Sequence, residues 1–197
     1  LKLSKKVIYD IEDNVLIQGS SSVNPFTRLL KSASKIEFLI KNSDHVITSS
    51  PALNDDCLKL NKFRACTFIS STVDVERFIP KNDYSNVNKV TIGWTGTFSS
   101  KIYLDGLKGV FLELKKRRDF RLRVIGNFEY MFPEMDLEVV QWSKENEVTD
   151  LQGIDIGVYP LALDEFVLGK SGLKAIQYMA FALPTVATNV GTVPTII

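Results

Sequence analysis

Cysteine and histidine are nearly missing from this chain: its 197 residues include two cysteines, Cys57 and Cys66, and one histidine, His45. Two thiols cannot build a disulfide framework, and with a single histidine they do not complete a zinc site. Neither sign of charge is in excess. Lys and Arg number 24 against 23 Asp and Glu, so the electrostatic footprint of a general nucleic-acid binder is lacking and no nucleic-acid partner is expected. No apolar run approaches the roughly 20 residues that a membrane-spanning helix needs. No Ser-His-Asp or Cys-His arrangement can be argued for nucleophilic catalysis. A reducing, cytoplasmic setting fits these absences best.

What is present is an ordinary globular composition, 45% hydrophobic and 24% charged, which argues against disorder and fibrous repeats. The length allows one large domain or two small ones. The chain opens at Leu1 without Met or a signal-peptide pattern, and it stops at Ile197 in what reads as the first turn of a helix. The expectation is an internal piece of a longer protein.

Short β-branched runs alternate with longer segments of helical period, the pattern of βα units and a parallel sheet. The spacing predicts strands at Lys6–Asp10, His45–Thr48, Thr67–Ser70, Val90–Gly93, Arg121–Ile125, Leu137–Val140, Ile154–Tyr159 and Thr185–Ala187. One helix is expected after Ser99-Ser100, where Leu104, Leu107, Val110, Phe111 and Leu114 recur at helical spacing and Lys115-Lys116-Arg117-Arg118 closes the last turn. A second is expected over Pro25 to Lys41, and a third from near Gly169 to before Pro184. The polar, turn-rich stretch Pro80–Lys89 reads as a linker, so the boundary falls between residues 1–80 and 81–197.

Two loops could carry chemistry. Gly93-Trp94-Thr95-Gly96-Thr97-Phe98-Ser99-Ser100 joins a strand to the helix it feeds. It is neither G-x-G-x-x-G nor a P-loop. Either its backbone N–H groups form an anion cradle, or it is a tight turn in which Ser99 or Ser100 caps the helix; spacing does not choose. In the second loop, a helix starting near Gly169 would put Lys170, Lys174 and Gln177 on one stripe. Two lysines in a first turn oppose the helix dipole and repel each other, which a bound phosphate would reverse. Neutralisation by Asp164 and Glu165, or simple solvation, is the plainer account of the lysines alone. Gly169 and Gly172, flanking Ser171, would permit close backbone approach to a ligand.

Further polar residues are weaker candidates. Asp10, Glu12 and Asp13 follow a strand at the end where open α/β sheets bind ligands. Asp155 reads as a buried, hydrogen-bonded structural acid, and His45 as structural. The pairs Asp74/Glu76 and Asp136/Glu138 have no convincing metal setting, and no metal or cofactor is expected.

In order and spacing, these stretches together resemble the GT-B glycosyltransferases, in particular the retaining glycosyltransferase family 4. Val90–Thr97 with Tyr103-Leu104 is similar to the opening strand and Gly-rich loop of the donor domain. Gly153–Leu161 resembles the family's D-I-G-I-x-P-L strand. Gly169–Gly172 through Gln177-Tyr178-Met179-Ala180 and Leu183–Ala187 resembles its donor loop, helix and next strand, and Val190–Pro194 its G-G-x-P-E turn. In the first half, Asn42–Ser50 and Ile69–Pro80 are similar to A-D-x-V-I-x-x-S and to the crossover N-G-V-D-x-x-x-F-x-P.

The resemblance implies two Rossmann-like domains, both incomplete here, with the active site in the cleft between them. It implies transfer of a sugar from a nucleotide-diphosphate sugar to a saccharide or lipid-linked acceptor hydroxyl, with retention and without a bound metal. The setting would be polysaccharide or lipid-linked saccharide synthesis, in the cytoplasm or at the inner face of the membrane, with peripheral membrane association through regions outside this chain. Carried over residue by residue, the donor contacts are Gly96, Thr97, Gly169, Lys170, Ser171, Gly172, Lys174 and Gln177, with Lys170 and Lys174 stabilising the phosphates. Asp10 and Asp13 are candidates in the cleft. The sequence departs from the family where two glutamates eight positions apart are usual: Gly169 and Gln177 stand there. Gln177 still offers both a donor and an acceptor to a ribose hydroxyl; Gly169 offers no side chain. Two alternatives stay open, a nucleotide-sugar-binding domain without turnover and a Rossmann oxidoreductase. The second is disfavoured because neither βα loop carries the dinucleotide fingerprint.

Overall fold

The computed structural model describes residues 4–16, 33–81 and 89–197. The first part of the helix expected over Pro25–Lys41, up to residue 32, and most of the linker expected at Pro80–Lys89 lie outside the described residues. The fold is α/β with parallel sheets, Rossmann-like, as the alternation of runs predicts. Two compact units form. One comprises Leu1–Ser71, Leu163–Gly172 and Asn189–Ile196; the other comprises Thr72–Ala162, Leu173–Thr188 and Ile197.

In the first unit, strands β1 (Ile8–Ile11), β2 (His45–Thr48) and β3 (Cys66–Phe68) pair in parallel in that order. Helix α1 (Ala33–Asn42) leads into β2, and α2 (Pro51–Leu60) leads out of it. The start of α2 is written locally: the Ser50 side chain accepts a hydrogen bond from the Leu53 amide, and Pro51 takes the position where a missing N–H costs nothing. Ile11, Ile40, Val46, Leu53 and Cys57 are the core. Each fully buried aliphatic side chain there contributes about 1.5–3 kcal/mol. Burial pushes the Cys57 thiol up to about 12, because an apolar setting penalises the thiolate.

In the second unit, β4 (Val90–Thr95), β5 (Phe120–Gly126), β6 (Leu137–Gln141), β7 (Ile156–Tyr159) and β8 (Thr185–Ala187) form one parallel sheet in the order β6-β5-β4-β7-β8. The single helix expected after Ser100 is two, α3 (Lys101–Asp105) and α4 (Lys108–Lys115), broken at Gly106-Leu107. Leu104 and Phe111 still reach the core with Trp94, Leu122 and Val124. No helix links β5 to β6. Residues 127–136 take its place with Phe128, Tyr130, Phe132 and Met135 buried, and the Tyr130 hydroxyl is anchored on Asp105 at 3.1 Å. A short α5 (Glu147–Gln152) precedes β7. Among the described residues no helix is long and apolar enough to cross a membrane.

Asp155 is the structural acid its setting suggested. Its carboxylate accepts from Lys81 Nζ at 2.6 Å and from the Thr91 amide at 2.9 Å, and both side chains of the ion pair are mostly buried. Removing one partner of such a pair leaves the other charge uncompensated. Asp155→Ala is expected to lower the unfolding free energy by about 3 kcal/mol, read by urea denaturation, and Asp155→Asn to cost less because the amide oxygen still accepts from Thr91. In the folded chain Cys57 is expected to resist iodoacetamide at pH 8 and to react once urea exposes it, as mass spectrometry would show.

Candidate functional site

The strand order places a topological switch point in the second unit. From β4 the chain adds β5 and β6 on one side, then returns to add β7 and β8 on the other. Open α/β sheets bind ligands at the carboxyl ends of the two strands where the order reverses, here β4 and β7. The two strands meet at a pair of glycines in register, Gly93 and Gly157. A side chain on Gly93 would strike Ile154, and one on Gly157 would strike the ring of Tyr178.

Helix α7 (Leu173–Ala180) uses that gap. The fully buried Tyr178 ring lies over Gly157, and its hydroxyl accepts a hydrogen bond from the Thr95 amide at 2.9 Å. Burial raises the phenol above its ordinary value, so it is neutral at physiological pH. Four residues earlier on the same helix face, the Lys174 ammonium lies 5.9 Å from the centroid of the buried Trp94 ring. Two successive residues at the end of β4 are thus held by two side chains one helical turn apart. A cation and the first turn of a helix stand at the carboxyl end of the central strand.

The Gly96-Thr97 loop realises the capping alternative. The Gly96 amide donates to the Ile125 carbonyl and the Thr97 amide to Ser100 Oγ, each at 3.0 Å, in a capping box that closes the short 3-10 turn Phe98–Ser100. Both amides are engaged, so this loop presents hydroxyls: Thr97 Oγ1 lies 3.0 Å from Ser99 Oγ, and both residues are exposed. Gly96 is required by packing, since a Cβ there would run into the Trp94 ring and Ser100.

In the first unit the loop Leu163–Gly172 departs from the expected helix. Helix α6 (Glu165–Leu168), capped by the Asp164 carboxylate accepting from the Val167 amide at 2.8 Å, ends at Gly169. The next helix starts only at Leu173, because Gly172 sits at φ +73° in the left-handed region. Lys170 therefore precedes α7, and the stripe expected for Lys170, Lys174 and Gln177 reduces to the last two. Lys170 and Lys174 thus share no first turn in which to repel each other. The Lys170 ammonium instead lies 4.9 Å from the Phe166 ring centroid, and its carbonyl accepts from Thr192 Oγ1 at 2.7 Å. Ser171 is buried. The spaces left open by the two glycines are taken by protein: a Cβ on Gly169 would meet Asn14, and one on Gly172 would meet Ile196.

The other candidates scatter. Asp10 lies within β1 and Asp13 beyond its carboxyl end, both exposed. His45 Nε2 is 2.9 Å from Thr67 Oγ1, a link between β2 and β3. Asp136 pairs with Lys89 and Arg121, and Glu138 holds Arg123 through both oxygens. Among the described residues no three His, Cys, Asp or Glu side chains gather as a metal site requires.

No family model matches the sequence, and no curated protein is significantly similar to it. Solved structures do resemble it. Sucrose-phosphate synthase from Thermosynechococcus elongatus is similar over 95% of this chain and 51% of its own, at 15% identity and a TM-score of 0.66. A glycosyltransferase from Rickettsia africae ESF-5 is similar over 93% of this chain and 52% of its own, at 14% identity and a TM-score of 0.58. The likeness is one of fold, and the chain spans about half the length of each.

Trp94 and Tyr178 lie in stretches that carry the resemblance, yet spacing and resemblance assign neither a role; the Tyr178 ring on Gly157 and its bond to Thr95 supply one. Asn14 has no sequence signal: it is buried, its Oδ1 has no hydrogen-bond partner among the described residues, and its Cβ fills the side of Gly169. Gly169→Ala is accordingly expected to destabilise the chain by about 1–3 kcal/mol. The same substitution in an Asn14→Gly background is expected to be nearly neutral, as a double-mutant cycle in urea would report.

Proposed function

We propose that this chain is the nucleotide-sugar-handling part of a glycosyltransferase, which moves a sugar from a nucleoside-diphosphate sugar to an acceptor hydroxyl. The observation that carries the proposal is the set of groups at the β4/β7 switch point: Lys174, the first turn of α7 and the hydroxyls of Thr97 and Ser99, held there by Tyr178 and Trp94. As the bond from the anomeric carbon to the diphosphate breaks, negative charge grows on the leaving phosphate oxygens. A cation at a helix N-terminus, preorganised at a sheet edge, stabilises charge that develops rather than charge already present. Gln177, one turn beyond Lys174 on α7, can both donate to and accept from a ribose hydroxyl. The fold shared with two enzymes whose names denote glycosyl transfer or sucrose-phosphate synthesis supports the same reading.

Membership of the retaining family 4, a metal-free reaction, a saccharide or lipid-linked acceptor and a cytoplasmic or inner-membrane setting belong to the same proposal and rest on the sequence resemblance. So does the assignment of Lys170, Ser171 and Gly172 to the phosphates. A second reading, binding without turnover, is favoured by one observation: residue 169 carries no side chain, and Asn14 fills the space beside it.

Calorimetric titration with UDP, GDP and ADP tests the proposal. One nucleotide is expected to bind selectively and to remain bound in the presence of a chelator. Lys174→Ala should weaken the diphosphate by about tenfold or more, equivalent to about 1.4 kcal/mol, and leave the parent nucleoside nearly unaffected. Equal losses for both ligands would remove Lys174 from the phosphates. Lys170→Ala, measured in the same way, tests that residue separately. Gln177→Ala should penalise ribonucleotides more than 2′-deoxy analogues.

A further inference from the structure

The β4/β7 junction assigns Tyr178 a task beyond filling the core, and we infer that it is the positioning residue that sets the phosphate-facing loop; this rests on the nucleotide-sugar reading above. The ring is fully buried and lies on Gly157, the one residue of β7 that opposes Gly93 and leaves room for it. Passing over the backbone of β7 there, the side chain reaches the neighbouring strand and accepts the Thr95 amide at 2.9 Å.

That amide belongs to the last residue of β4, directly before Gly96. No neighbouring strand claims it: the carboxyl end of β4 is paired with β5 on one side, and β7 pairs only as far as Gly93. A core phenylalanine would satisfy the same packing and leave this part-buried N–H without its protein partner, which is costly. The hydroxyl therefore serves the loop and not the core.

The geometry also makes α7 and the loop one body. Lys174 contacts Trp94, and Tyr178 binds Thr95. The cation offered to the phosphates and the hydroxyls of Thr97 and Ser99 keep a fixed separation only while the Tyr178 hydroxyl bridges helix and strand. The aromatic ring alone leaves the end of β4 free to twist away from α7, and the preorganisation that makes electrostatic stabilisation effective is lost.

The test is Tyr178→Phe, which removes one oxygen and nothing else. Amide exchange followed by NMR is expected to show the Thr95 N–H exchanging at least about tenfold faster, with the strand amides of β5 and β6 little changed. Titration with UDP, GDP and ADP at 10 °C should show about tenfold weaker diphosphate binding, while nucleoside affinity is retained. Phe120→Leu, a core truncation at the amino end of β5 opposite Val90, controls for lost stability and should leave the diphosphate-to-nucleoside ratio unmoved. If the Thr95 amide exchanges as before, the bridge does not exist and the inference is wrong. A faster Thr95 amide with an unchanged ratio makes Tyr178 structural only and likewise overturns it. If Tyr178→Phe keeps diphosphate binding, the inference falls and the proposed function stands; if the unsubstituted chain binds none of the three nucleotides, the proposed function falls and takes the inference with it.

Discussion

The second unit is organised around a place where two strands have no side chains between them. Gly93 and Gly157 face each other at the centre of the five-stranded sheet, and the absent Cβ atoms let Ile154 and Tyr178 press onto the backbone. Close approach of this kind is why a helix side chain can reach over one strand and bond to the next. The depth at which α7 docks, the station of Lys174 and the anchoring of Thr95 all follow from it. A methyl group at either glycine would lift the packed side chain and disturb all three.

The chemistry available at the site follows from that anchoring. A switch point is a general property of doubly wound sheets and specifies no ligand by itself. Here the polar groups at the edge are a cation and a cluster of hydroxyls, with the amide of Gly96 engaged by the Ile125 carbonyl of β5 and that of Thr97 by Ser100. Such a set suits an anionic, oxygen-rich ligand. The indole under Lys174 holds the ammonium by its π-face and removes no positive charge.

The strands were legible because each is a short β-branched run, and all eight expected ones are found within about two residues of their places. Helix boundaries were less so. Gly169 reads as a helix start because apolar residues recur after it; the left-handed Gly172 resets the chain and divides the segment between α6 and α7. A Cβ on Gly172 would meet Ile196, more than twenty residues further on, a neighbour that no local pattern encodes. The split between α3 and α4 at Gly106 was visible as a glycine but hidden under an unbroken helical period. Helix α2 carried its start openly in Ser50-Pro51. At the candidate site, Gly96, Lys174 and Gln177 could be named from spacing and resemblance, whereas in the first unit Asn14 becomes a neighbour of Gly169 only after folding.

The order of strands also has a history during synthesis. β4 lies in the middle of its sheet, yet its second edge is completed by β7, roughly sixty residues later, which at about 5–20 residues per second leaves that edge open for several seconds on the ribosome. During that interval β4, β5 and β6 can already stack as a three-stranded sheet closed by Trp94, Leu104 and Leu122. The unpaired flank of β4 then presents open backbone N–H and C=O groups next to a bare glycine, a surface prone to pairing with a neighbouring chain. The β7 side of β4, where the candidate site lies, is therefore completed after the β5 side.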